Sequence, residues 1–172
     1  MKAPFSKYNK AIPRFMSEYG FQSFPEFESV KKYTIEEDWD IYSKVMKSHQ
    51  RSWIGNSNIE YYMKKDYQKP KNFEMFLYVG QVLQAEGMTV GMEAHRRNMP
   101  YCMGSLYWQI NDCWPVASWS SIDYYGNWKG LHYKAKDAFK PVRTMFLEEK
   151  KALNMYVVSD NLTDLSVYCT LT

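Results

Sequence analysis

The sequence predicts an α/β unit followed by the first strands of a separate antiparallel β domain. Three observations carry that prediction. Residues 13–20 and 102–110 are apolar runs of strand length, separated by a long helical stripe. A further helical pattern follows the second run and stops at Pro141. Beyond Pro141 the apolar spacing changes: Leu153, Met155 and Val157, then Leu165, Val167, Cys169 and Leu171, alternate mostly with polar residues, the signature of antiparallel strands with one wet face.

Each element has its own local reason. The run 13–20 reads as a buried strand that ends at Gly20, and the stretch from there to Lys32, with Pro25 inside it, reads as a long loop. Thr34 and Glu37 have capping-box spacing, and Ile41, Tyr42, Val45, Met46 and His49 follow at helical intervals, which predicts a helix over 35–49. Ser57 and Glu60 repeat the box ahead of a short helix to about Lys65, and Pro70 separates it from the next element. The longest helix is expected over 73–96. Its stripe of Phe73, Phe76, Leu77, Gly80, Leu83, Gly87, Met88 and Gly91 is interrupted only by Gln84. Glycine costs about 1 kcal/mol against alanine within a helix, so glycines on the apolar face predict close approach of the helix backbone to a sheet. Residues 102–110 are nearly all apolar, as in a strand covered on both faces. The last helix, over 126–140, is expected to bury Trp128, Leu131, Ala135, Ala138 and Phe139. Arg96 and Arg97 are expected in a solvated C-terminal turn that complements the helix dipole. The alternation reaches Thr172, which reads as a piece of a longer pattern.

Composition narrows the function classes. With 172 residues and a formal charge of +3, the chain lacks the basic bias of a nucleic-acid or membrane-surface protein. No run of about 18 apolar residues is present to span a bilayer, and the first ten residues lack the apolar core of a signal peptide. Cys102, Cys113 and Cys169 are widely spaced, which implies neither a disulfide framework nor a zinc site. His49, His95 and His132 show no H-E-x-x-H spacing, and there is no G-x-S-x-G elbow and no glycine-rich phosphate loop. Aromatic residues are abundant, with 15 Tyr, 9 Phe and 6 Trp. They exceed what one core needs and favour an aromatic-lined cleft.

Parallel α/β folds carry functional side chains at the C-terminal ends of their strands. Two acids occupy such places, Glu18 at the end of the first strand and Asp112 just past the second. A strand-end carboxylate in a cleft can reach substrate; the competing reading is a salt-bridged or solvated glutamate. Trp108 precedes Gln109, Asn111 and Asp112, with Trp114 and Trp119 beyond. An indole flanked by amides and a carboxylate suits a sugar, whose apolar face packs on the ring while its hydroxyls bond the polar groups. The alternative is that the tryptophans fill a core.

The motifs resemble one family. PRFMSEYGFQS at 13–23 resembles the nucleophile strand of family 2 glycoside hydrolases in the form typical of β-mannosidases. HQR at 49–51, QAE at 84–86, HRR at 95–97, GSLYWQIND at 104–112, ASWSS at 117–121 and WKGLHY at 128–133 continue the resemblance in order, over roughly residues 12–142.

That resemblance implies the C-terminal part of a TIM (β/α)8 barrel, strands 7 and 8 with their helices, over 1–141, and the opening of an immunoglobulin-like β-sandwich over 142–172. It also implies a retaining mechanism, with Glu18 as nucleophile and Trp108 as the platform under the sugar; the polar and aromatic residues around that platform make Asn111, Asp112 and Trp114 the expected binding groups. The implied substrate is a β-mannoside, with no metal or organic cofactor. The family's acid/base glutamate follows an asparagine on an earlier barrel strand, and no Asn-Glu pair occurs here. The expectation is therefore a fragment, inactive alone, whose partner is the missing N-terminal part of the barrel. Within the family, β-galactosidase and β-glucuronidase are the alternatives; outside it, a non-catalytic carbohydrate-binding fragment.

Overall fold

The computed structural model describes residues 3–170. At its centre is one long helix, α4, against which the other elements pack. Strand β1, Met16–Tyr19, and strand β2, Ser105–Tyr107, pair in parallel, with Met16 opposite Ser105 and Tyr19 opposite Tyr107. Between them lie α1 (Phe27–Val30), α2 (Lys44–Ser48), α3 (Gly55–Asp66) and α4 (Phe73–Arg97). Helix α5, Gly130–Ala138, follows β2. Strands β3, Val142–Glu149, and β4, Ala152–Ser159, then form an antiparallel hairpin closed by Lys150 and Lys151 at φ 47° and 68°. Positive φ at both central residues is what a type I′ two-residue hairpin turn requires. A 3₁₀ helix over Phe5–Asn9, not foreseen in the sequence, packs its rings on α4 and β1.

Helix α4 matches its sequence pattern. The Asn72 side chain accepts from the Met75 N–H at 2.9 Å, and Leu77, Leu83 and Met88 are buried along the predicted stripe. One side of this core gathers Phe24, Val30, Met46, Ile59 and Met63; the other gathers Tyr19, Met92, Leu131, Ala135 and Ala138. The glycines have different neighbours from those expected. Only Gly91 faces a strand, through the Tyr19 ring, while Gly87 lies against Phe5 and Gly80 against Met63 and Ile59 of α3. Gln84, fully buried, breaks the stripe because it bonds distant backbone: it accepts from Ser23 Oγ at 2.7 Å and donates to Phe21 O at 2.8 Å.

Several expectations are corrected. No single helix spans 35–49; a 3₁₀ turn, Glu36–Asp38, and α2 replace it. Thr34 donates to Val30 O instead of capping, and Asp40 takes the Tyr42 N–H at 2.8 Å. Such local side-chain bonds offer the backbone an alternative to the helix. Ser57 likewise sits inside α3, its hydroxyl on Ile54 O. The loop after Gly20 contains one helical turn, α1. Neither strand of the parallel pair is covered on both faces: Ser17 and Glu18 are exposed, and Leu106 is 55% exposed. The pair is two strands wide among the described residues, which leaves an edge and a face open. Helix α5 starts four residues later than expected, with Trp128 and Phe139 partly exposed. No strand covers 160–170, and Leu171 lies outside the described residues.

Arg96 and Arg97 are not in a solvated turn. Arg96 is 5% exposed; its Nη1 donates to Ala138 O and Lys140 O at 2.6 and 2.7 Å, and it pairs with Asp160 at 2.9 Å. Arg97 donates to Asn9 Oδ1 at 2.6 Å. On the hairpin, Arg143 bridges Glu93 of α4 and Asp137 of α5. These arginines fasten β3 and β4 to the end of α4.

Candidate active site

Because β1 and β2 run parallel, their C-terminal ends lie side by side. Glu18 is exposed on β1. The next residue, Tyr19, accepts the Trp108 N–H on its carbonyl at 2.8 Å. Beyond it, Gly20 has no room for a side chain: a Cβ would lie 2.5 Å from Trp108 O and 2.9 Å from Trp119 Cδ1. The glycine therefore lets the end of the Glu18 strand close onto the end of β2. Trp108 is 47% exposed, and the peptide bond to Gln109 is cis.

Beneath this surface runs a buried polar layer. Asp112 is 6% exposed and accepts from Ser118 Oγ at 2.6 Å, Ser120 Oγ at 2.5 Å and Gln109 Nε2 at 3.4 Å. Lys129, which precedes α5, is fully buried and donates from Nζ to Ser23 O at 3.1 Å and Ser118 O at 3.3 Å. Burial pushes its amino group down to about 7, an effect that nearby Asp112 and Asp123 partly oppose. Tyr19 Oη lies 2.7 Å from Ser105 Oγ, which also lies 2.8 Å from His95 Nδ1. Burial raises the Tyr19 hydroxyl to about 12 and lowers His95, so both stay neutral near pH 7.

Of the residues singled out in the sequence, the strand pairing brings Glu18 and Trp108 to adjacent strand ends. Asn111 is exposed past β2, its backbone bridged to Ile122. Asp112 instead points into the protein. Trp114 stands in a separate column of rings: it stacks on His49 at 5.7 Å, and His49 stacks on Tyr33 at 4.3 Å. His49 Nδ1 lies 2.6 Å from Pro115 O. No group of three metal-ligating side chains occurs among the described residues.

The chain is 37% identical over 171 residues to a β-mannosidase of Capra hircus, a match that covers 92% of this chain and 20% of that protein. Its fold superposes on the crystal structure of a β-D-mannosidase from Dictyoglomus thermophilum with a TM-score of 0.89, at 34% identity over 93% of this chain and 20% of that one. Both matches support a β-mannosidase fragment. The chain spans about a fifth of the length of these relatives. No family model matches it. The exo-chitosanase of Amycolatopsis orientalis shares the fold, with a TM-score of 0.73 at 19% identity over 90% of this chain and 20% of that one.

Within this segment the sequence reading assigned no role to Lys129, Ser118, Ser120 or Gln84. Gln84 left one trace, as the break in an apolar stripe. Lys129 stands in the WKGLHY motif and both serines in ASWSS, but motif order does not tell what a polar side chain bonds.

Proposed function

We propose that this chain is the nucleophile-bearing part of a retaining β-mannosidase of glycoside hydrolase family 2, which hydrolyses terminal non-reducing β-mannosyl residues. On this reading residues 1–141 complete a (β/α)8 barrel as its seventh and eighth strands, and 142–172 open a β-sandwich. The observation that carries the reading is the exposed Glu18 carboxylate at the end of β1, whose strand closes through Gly20 onto half-exposed Trp108.

The chemistry follows from that arrangement. The sugar's apolar face rests on Trp108, with Asn111 and Trp114 as further contacts and Asp112 supporting them from below. Glu18 attacks the anomeric carbon as the bond to the leaving oxygen breaks, forming a glycosyl ester. A second carboxyl, supplied by polypeptide outside these 172 residues, protonates the leaving oxygen. It then takes a proton from the water that opens the ester, which frees Glu18. Retaining pairs stand about 5–5.5 Å apart. Asp112 does not fill the second role, since both its oxygens are engaged by buried donors.

The test uses the longer enzyme that carries this chain. A 2-fluoro-mannosyl inactivator should leave its sugar on Glu18 in peptide mapping, and Glu18→Gln should lower kcat by several orders of magnitude. A label on another residue would remove the assignment.

A further inference from the structure

Lys129 is buried, and the chemistry above makes no use of it. Bringing an ammonium out of water costs several kcal/mol, so its surroundings bear on what it does. Ser23, in the loop after β1, and Ser118, in the loop after β2, exchange backbone N–H bonds at 3.0 and 3.2 Å. Lys129 Nζ donates to both of their carbonyl oxygens, a further donor on each side of the bridge. Its own backbone is fixed too, since the Lys129 N–H donates to Ser121 O at 2.8 Å. The amino group therefore reaches from the start of a core-packed helix to the backbone bridge that joins the two strand-end loops.

Those loops support the site. Trp119 O accepts the Gln109 N–H at 3.2 Å, and the Ser121 N–H donates to Gln109 O and Ile110 O at 3.0 Å each. The stretch Lys129 holds thus braces the peptides just after Trp108. The Trp119 ring also fills the space over Gly20, two residues beyond Glu18. Moving Ser118 would move both sides of the cleft.

We infer that Lys129 is a positioning residue: its buried amino group clamps the loop after β1 to the loop after β2 and so sets Trp108 against the strand that carries Glu18. The kinetic consequence rests on the function proposed above. The geometric one does not.

The test is Lys129→Met in the longer enzyme, with active sites counted by the fluoro-mannosyl inactivator. Methionine keeps the length and removes the donor, while Asp112 and Asp123, which Lys129 does not bond, keep their donors, Ser118 and Ser120 for the first and Ser29 and Asn127 for the second. Kcat per counted site on an aryl β-mannoside should fall on the order of 10–100-fold, the scale of a small misplacement of reacting groups, with KM within about threefold. The near-ultraviolet circular dichroism of the tryptophans should change as well, whatever the protein turns over. An unchanged tryptophan band and unchanged kcat per site, with only a lower Tm, would make Lys129 structural and overturn the inference. If Lys129→Met does not fold, Lys129→Gln is the smaller lesion, a shorter side chain that keeps a donor; kcat per site and the tryptophan band should change in the same direction, and no change in either overturns the inference equally. Turnover that survives Glu18→Gln would sink the proposed function instead, leaving the tryptophan band to decide on Lys129.

Discussion

Tyr19 and Trp108 are joined across the parallel pair by one hydrogen bond, from the Trp108 N–H to the Tyr19 carbonyl at 2.8 Å. It is where the ladder between β1 and β2 ends. Past it the Trp108 carbonyl and the Trp119 ring occupy the space over Gly20. Glu18 and Trp108 are thus held in relation by backbone contacts at the two strand ends.

Gly20→Ala should therefore be costly in both fold and function. The new methyl would meet a backbone oxygen at 2.5 Å, and backbone cannot swing aside as a flexible side chain can. A loss of about 1–3 kcal/mol is expected from such overpacking, together with a drop in kcat/KM. Chemical denaturation and steady-state kinetics on the same variant check it, and wild-type values for both would show that the two strand ends move freely.

Trp108→Ala should separate the two. Nearly half of the ring is exposed, so truncation should shift Tm by only a few degrees, about what 1 kcal/mol does. Meanwhile kcat/KM on an aryl β-mannoside in the longer enzyme should fall strongly. If Tm collapses and activity per folded molecule is unchanged, the indole belongs to the core.

Two glycines of α4 should respond with opposite signs. At Gly80 a Cβ meets nothing nearer than Met63 Cε at 3.7 Å, so Gly80→Ala should stabilise by up to about 1 kcal/mol through helix propensity. At Gly87 a Cβ would lie 2.5 Å from the Phe5 ring, so Gly87→Ala should destabilise by displacing the 3₁₀ segment. Thermal unfolding of the two variants side by side decides the matter; equal shifts would mean that Phe5 gives way at little cost.

Lys129 should make stability depend on pH. Its amino group titrates at about 7 in the fold and at about 10.4 in an unfolded chain. Between those values the unfolded state binds a proton that the native state has released, so this contribution rises with pH across that window and is lost as pH falls through about 7. Unfolding free energy for wild type minus that for Lys129→Met should accordingly shift in favour of wild type from about pH 6 to about pH 9, by no more than about 1.4 kcal/mol per pH unit. A flat difference would show that the amine keeps its proton inside the fold.

The sequence by itself determined the elements whose signals are local. The stripe from Phe73 and the alternation at Leu153, Met155 and Val157 predicted α4 and β4, because apolar periodicity reports which face of one helix or strand is covered. The apolar runs 13–20 and 102–110 placed Glu18 and Trp108 at strand ends. Only the tertiary structure decided the rest, through bonds between residues far apart in the chain. Asp112 reads like Asn111 in sequence, yet it turns inward because Ser118 and Ser120 fold back over it. Arg96 reads as a solvated end of α4 and is buried, since Ala138 O, Lys140 O and Asp160 converge on its guanidinium. Lys129 meets the carbonyl of Ser23 across 106 positions of chain. No spacing rule reaches that far: a polar side chain's partner is set by which loops the packed helices bring together, and pattern records only whether a position faces in or out.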